Sequence, residues 1–180
     1  VETYRALEEK GARIVDATCP NVARIHQLVA KAEAEGRTPL IIGEAHHPEV
    51  LAAASRSPHS VILEGPEELE KWLAERPERR EMPLLSVAQT TCIQTTWRNA
   101  QKILKKQCTN AEIFDTICLA THKRQTEAAE LAAKVDVMVV VGDRKSANTK
   151  HLTEISRLRC PTVYQIEGVE ELNVDFLKGC

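Results

Sequence analysis

Asp16-Ala17-Thr18-Cys19 returns as Asp115-Thr116-Ile117-Cys118, 99 positions further along the chain. A glycine followed by an acid returns at the same offset, as Gly43-Glu44 and Gly142-Asp143. So do two polar pairs, His47/Glu49 and Ser146/Asn148. No gap is needed across more than 30 residues, from Asp16 to Glu49 in the first copy. Such a chain is expected to build one supersecondary unit twice, with the joint near residue 110.

The pattern inside each copy says what the unit is. Short β-branched runs at 13–18, 39–43, 60–64, 84–89, 112–116, 137–142 and 162–166 predict strands. Between them, 21–35, 66–76, 92–107, 123–134 and 148–158 place apolar residues at helical spacing. The runs 39–43 and 137–142 are apolar almost throughout, which suits strands covered on both faces of a parallel sheet. Alternating strands and helices predict an α/β fold with right-handed crossovers. Residues 1–11 read as the end of a preceding helix or linker. The first α/β unit then covers 12–110 and the second 111–180. Aromatic residues make up only 3%, so Val, Ile, Leu and Ala must form the core.

Composition excludes several classes of function. There are 24 basic and 26 acidic residues, a net charge of −2, where a nucleic-acid binder needs a basic excess. No apolar run approaches the roughly 20 residues of a membrane span, and no charged-then-apolar leader opens the chain. The expectation is a cytoplasmic protein without nucleic-acid or membrane partners. Six cysteines without any C-x-x-C fit neither a disulfide scaffold nor a zinc ribbon.

The repeat also locates the chemistry. Each repeated cysteine falls at the carboxyl end of a predicted strand, where a helix begins. Each polar pair falls just beyond the next strand. That edge is where parallel sheets bind ligands, and helix amino termini there attract anions. Cys19 and Cys118 are the strongest candidates, because a helix amino terminus favours thiolate, the form that ligates metal. Thiolates spaced this far apart suit an iron–sulfur cluster assembled from separate segments better than a tetrahedral zinc knot. In His46-His47-Pro48-Glu49, Pro48 can open a helix that carries Glu49 in its first turn. His47 is then placed to bind an anion and Glu49 to carry a proton. Gln89-Thr90-Thr91 ends a strand at the same edge, and Ser146 and Asn148 open a helix there as caps or diphosphate contacts. Cys92, Cys108, Cys160 and Cys180 read as structural, with Cys92 the one closest to the cleft. His26, His59, His122 and His151 lack repeat partners and are expected to be exposed.

These segments resemble those of the 4-hydroxy-3-methylbut-2-enyl diphosphate reductase (LytB) family. The matching stretches are Asp16-Ala-Thr-Cys19-Pro20, His47-Pro48-Glu49-Val50, Gln89-Thr90-Thr91, Asp115-Thr-Ile-Cys118 and Gly142 through Asn148. The resemblance implies three α/β units about a pseudo-threefold axis, of which this chain holds two. It also implies a central [4Fe–4S] cluster held by one cysteine per unit, with an iron left open for substrate. Cys19 and Cys118 carry over as two of its ligands, the third lying outside this sequence. Glu49 carries over as proton donor, and His47, Thr90, Ser146 and Asn148 as substrate or diphosphate contacts. Ala147 stands where the family has a serine, so one hydroxyl donor is lost. The implied reaction is a two-electron removal of an allylic hydroxyl, giving isopentenyl and dimethylallyl diphosphates in non-mevalonate isoprenoid biosynthesis. Electrons would come from ferredoxin or flavodoxin. The resemblance further implies an internal fragment, inactive without its first unit. Two other readings of the residues stand beside it. One is a zinc hydrolase using Cys19, Cys118 and His47 with Glu49 as base; the other is a non-catalytic module binding a phosphorylated ligand.

Overall fold

The computed structural model describes residues 2–172. The helix α1 (Glu2–Glu9) is followed by α2 (Pro20–Ala34), β1 (Thr38–Ile42), α3 (Pro48–Ala54), β2 (Val61–Leu63) and α4 (Pro66–Glu75). Next come β3 (Leu84–Ala88), α5 (Gln94–Gln107), β4 (Ala111–Ile113), α6 (Leu119–Ala132), β5 (Val137–Val141), α7 (Ala147–Arg157) and β6 (Thr162–Ile166). The class is α/β with parallel sheets, as the alternation predicts. One sheet has the order β2-β1-β3-β4 and the other pairs β5 with β6. Every pairing is parallel.

Strand alternation divides the core of the larger sheet in two. Leu40 and Ile42 of β1 and Leu84 and Ala88 of β3 pack with Leu69, Leu73, Trp97 and Leu104 under α4 and α5. Ile41, Leu85 and Val87 point the other way, to Ile25, Val29 and Val50 of α2 and α3. Successive side chains of a strand face opposite sides, so a run with no polar gap is what a doubly covered sheet needs. Each fully buried aliphatic side chain contributes about 1.5–3 kcal/mol.

Residues 13–18 depart from the expectation: they form no strand, and Val15 is 79% exposed. Their repeat counterpart shows why. Against the predicted 112–116, the observed strand is Ala111–Ile113, and it is one because β3 lies beside it, pairing Leu84 with Ala111 and Ser86 with Ile113. Among the described residues, 13–18 has no such neighbour. A β-branched run states a propensity, whereas a ladder needs a second chain segment. The same pairing attaches residues 111–113 to the larger sheet.

The two sheets end alike. Gly43 N–H donates to Leu63 O at 3.0 Å and Gly142 N–H to Ile166 O at 2.9 Å, closing each β1-type strand onto its neighbour. At Gly43 the space is already taken: a Cβ there would stand 2.7 Å from Gln89 Cβ, so only glycine lets the two strand ends come this close. Ile42 and Ala88 are register partners, so the loops that follow β1 and β3 leave the sheet side by side.

Candidate functional site

Both repeated cysteine loops are built the same way. Asp16 Oδ1 accepts from Thr18 N at 2.9 Å and Asp115 Oδ1 from Ile117 N at 3.3 Å, an Asx turn in each case. The bonds from Thr18 hold the Asp16 carboxyl below the ordinary carboxylate range. Cys19 and Cys118 then occupy the N-cap positions of α2 and α6 with nearly the same backbone, φ −54 and −64, ψ 134 in both. Neither side chain caps its helix. Asn21, two residues beyond Cys19, donates its Nδ2–H to Cys118 Sγ at 3.4 Å. The repeat therefore brings the two cysteine loops together in space.

Cys118 is tied in turn to the end of β3, through its N–H donated to Thr90 O at 3.0 Å. Thr90, only 7% exposed, grips Glu49 twice. Its N–H donates to Oε1 and its hydroxyl to Oε2, both at 2.7 Å. Glu49 lies in the first turn of α3, where Pro48 opens the helix and His47 is the N-cap. His47 Nδ1 accepts from Glu49 N at 3.2 Å, which puts the proton of the neutral ring on Nε2. Behind this layer the buried Gln89 joins the same two loops. Its Oε1 accepts from Glu44 N and its Nε2 donates to Thr91 Oγ1, each at 2.9 Å.

Ser146 and Asn148 open α7, as the repeat predicts for the counterparts of His47 and Glu49. The Ser146 hydroxyl oxygen accepts from Thr149 N at 3.4 Å. Asn148 Oδ1 is buried without a hydrogen-bond partner among the described residues. The first turns of α7 rest on the loops of the larger sheet. His151 donates from Nδ1 to Thr91 O at 2.7 Å, and Lys150 Nζ lies 4.0 Å from Glu44 Oε2. His151 Nε2 stands 3.5 Å from Glu44 Oε1 without forming a hydrogen bond to it.

His151 was expected to be exposed and is instead a link between the two halves, its side chain 13% exposed. His26 also departs from that expectation. It is half-buried on α2, with Nδ1 3.3 Å from Arg56 Nη2 and Nε2 buried without a partner among the described residues. Burial, and after it the Arg56 charge, hold its pKa below the ordinary imidazole value, while the Glu49 charge acts in the opposite direction. A signal existed for His26: it directly follows Ile25 on the buried stripe of Ile25, Val29 and Ala32. For His151 the sequence carried none, because its acceptor is a main-chain oxygen 60 residues away.

The other cysteines behave as structural side chains. Cys92 is buried in the core, and burial pushes its thiol up to about 12. Burial raises Cys108 as well, and Cys160 is buried with its Sγ near Val135 O and Thr162 O. Cys180 lies outside the described residues. No group of three metal-ligating side chains occurs among the described residues, so Cys19, Cys118 and His47 form no zinc triad. The free thiols at paired helix ends do fit a cluster that draws its ligands from separate segments.

Two thiols at helix N-cap positions, a clamped carboxylate and helix amino termini thus meet at the carboxyl edge of parallel sheets, where α/β proteins bind ligands. Comparison with known proteins makes this specific. The family model described as LytB protein matches residues 1–180, and the chain belongs to the LytB family. A 4-hydroxy-3-methylbut-2-enyl diphosphate reductase of Caldanaerobacter subterraneus subsp. tengcongensis is 35% identical over 181 residues, covering 98% of this chain and 59% of that protein. The reductase of the same description from Desulfovibrio desulfuricans is 38% identical over 173 residues, covering 95% and 59%. The solved E-1-hydroxy-2-methyl-but-2-enyl-4-diphosphate reductase of Plasmodium falciparum superposes with a TM-score of 0.89 at 27% identity, over 99% of this chain and 56% of that one. The chain thus spans about three fifths of the length of these relatives.

Proposed function

We propose that this chain carries two α/β units, divided near residue 110, of a reductase acting on 4-hydroxy-3-methylbut-2-enyl diphosphate. The reaction removes an allylic hydroxyl with two electrons and two protons: one proton leaves with the oxygen as water and the other ends on carbon. The products are isopentenyl and dimethylallyl diphosphates. The observation that carries this reading is the double role of Thr90. Its carbonyl holds the Cys118 loop while its N–H and hydroxyl hold Glu49, so a candidate metal ligand and a candidate acid share one anchor.

Cys19 and Cys118 would hold a [4Fe–4S] cluster, with a further ligand from outside this chain. When bound, that group supplies the reducing electrons and a Lewis-acidic iron. Glu49 holds the proton. As a carboxylate it accepts from the Thr90 hydroxyl. As an acid it donates to the Thr90 oxygen, which frees the hydroxyl hydrogen to point at a leaving oxygen. His47 Nε2–H and the Ser146 and Asn148 side chains, all at helix starts, would bind the diphosphate through neutral donors and helix dipoles. Asn148 fits that role through its Nδ2–H, a neutral donor in the first turn of α7. The electron donor in this reading is a small iron–sulfur or flavin carrier, ferredoxin or flavodoxin. The five described cysteines are all free, in keeping with a reducing cytoplasm. Among the described residues no helix is long and apolar enough to cross a membrane.

Iron, acid-labile sulfide and zinc in the chain, purified and reconstituted without oxygen, test the reading. Iron and sulfide in equal amounts, lost in Cys19→Ser and in Cys118→Ser, are the expected result. Zinc without sulfide, or iron kept in both variants, would overturn it.

A further inference from the structure

Although the chain is slightly acidic overall, α5 is not. Its sequence from Gln94 to Gln107 contains Arg98, Lys102, Lys105 and Lys106 and no acidic residue. At 100° per residue these four fall within one stripe about 100° wide. The stripe is the face opposite the buried Trp97, Ala100 and Leu104, and all four side chains are exposed. None of the four forms an ion pair or hydrogen bond among the described residues. Some other basic residues are neutralised locally, for example Lys31 by Glu35 and Glu112, and Lys123 by Glu127. What sets the stripe apart is that four cations share one helix face with no acid among them, on a chain of net charge −2.

Its position gives it a use. At its amino-terminal end the stripe runs into a recess of about 230 Å³, where Trp97, Arg98 and Gln101 face Ile117, Leu119 and His122. Ile117 and Leu119 flank Cys118 directly, and Leu119 is 81% exposed. Asp115, also at this recess, has Oδ1 engaged in the turn that presents Cys118. On the other flank of α5, Glu67 and Glu68 face Thr95, Thr96 and Asn99, so an acidic border limits the basic surface.

We propose that this surface, the α5 stripe with the Leu119 recess, docks an acidic electron-carrier protein against the Cys118 edge. The proposal rests on the reductase reading above. Basic side chains steer an acidic partner, and an exposed leucine in a shallow recess gives it an apolar anchor. Electron transfer weakens steeply with distance, so a docking face must adjoin the ligand loop, as this one does. Each encounter oxidises the carrier by one electron, and two encounters supply the two electrons of the reaction. A protein partner is favoured over nucleic acid because the stripe has no exposed aromatic to stack bases and is bordered by acid.

The test is binding of a fluorescently labelled acidic [2Fe–2S] ferredoxin to this chain. R98E/K102E/K105E is compared with K10E/K71E/K134E, which makes the same charge change at other exposed lysines. We expect the first variant to bind at least about tenfold more weakly, the second within about twofold of the parent, and parent binding to fade as salt rises above about 0.15 M. Circular dichroism confirms that both variants fold. Equal loss in both variants, no binding by the parent, or equal competition by single-stranded DNA would overturn the proposal. Iron and sulfide are measured on the same samples. Ferredoxin binding that maps to α5 without iron upholds the surface and sinks the cluster, whereas iron and sulfide without ferredoxin binding does the reverse.

Discussion

Cysteine shows how much of this protein's chemistry is set by surroundings. Cys19 stands exposed at a helix start, whereas Cys92 is 4% exposed among Leu40, Leu63 and Trp97. With its pKa near 12, Cys92 holds roughly a thousandfold less thiolate at pH 8 than an ordinary thiol near 9.0. Iodoacetamide on the folded chain is therefore expected to label Cys19 and leave Cys92 unmodified, read by peptide mass spectrometry. Early labelling of Cys92 would mean the core opens readily. The sign for stability follows from the same shift. The folded state keeps a proton that the unfolded chain releases above 9.0, so this contribution is complete below pH 9 and is lost as pH rises toward 12. Urea midpoints should fall over that window, and less so in Cys92→Val. Much of this site could be read one residue at a time, because the 99-residue offset equates Cys19 with Cys118 and His47 with Ser146. Roles that depend on a distant main-chain atom could not, and His151 is the example.

At the scale of elements, the junction after β4 shows how a strand too short for its neighbour is completed. β4 ends at Ile113 while β3 continues to Ala88. Phe114 N–H donates to Ser86 O at 2.9 Å, and then the buried Thr116 hydroxyl takes over, accepting from Ala88 N at 2.9 Å and donating to Ala88 O. A side chain thus continues the ladder up to the residue pair before Cys118. Thr116→Val keeps the shape and removes the hydroxyl, leaving a buried N–H and C=O unpaired. We expect a loss of about 1–3 kcal/mol in urea unfolding, with faster alkylation of Cys118 as its loop loosens. An unchanged midpoint would mean that water replaces the hydroxyl. The counterpart of Thr116 is Ala17, which has no hydroxyl to offer, and residues 13–18 have no strand beside them. This is why a repeat that correctly equated two cysteines overestimated one strand: periodicity reports which faces are apolar and says nothing of whether a neighbour is present to pair with.

Over the whole molecule, stability is unevenly distributed. Both buried clusters lie on the two faces of the four-stranded sheet, and neither includes a residue from α6, β5, α7 or β6. The second sheet has two strands, Val137, Met138 and Val139 are only partly buried, and Val141 is 65% exposed. A two-stranded sheet with one packed face is marginal by itself, so the α6–β6 region depends on its contacts with the larger sheet. Those contacts include Gln125, which accepts from Gln94 N at 3.1 Å and donates to Cys92 O at 3.0 Å, and the His151 bond to Thr91 O. Native-state hydrogen exchange should then resolve two levels. Amides of β1 and β3 are expected to exchange only by global unfolding, and those of β5 and β6 through a smaller opening that leaves the first sheet intact. Gln125→Ala should lower protection in β5 and β6 while leaving β1 and β3 at their original level. Equal protection in all four strands, or equal loss in all four on that substitution, would mean that the chain unfolds as one unit. In that case Cys118 and Ser146 could not move apart without the loss of Cys19 and Glu49 as well.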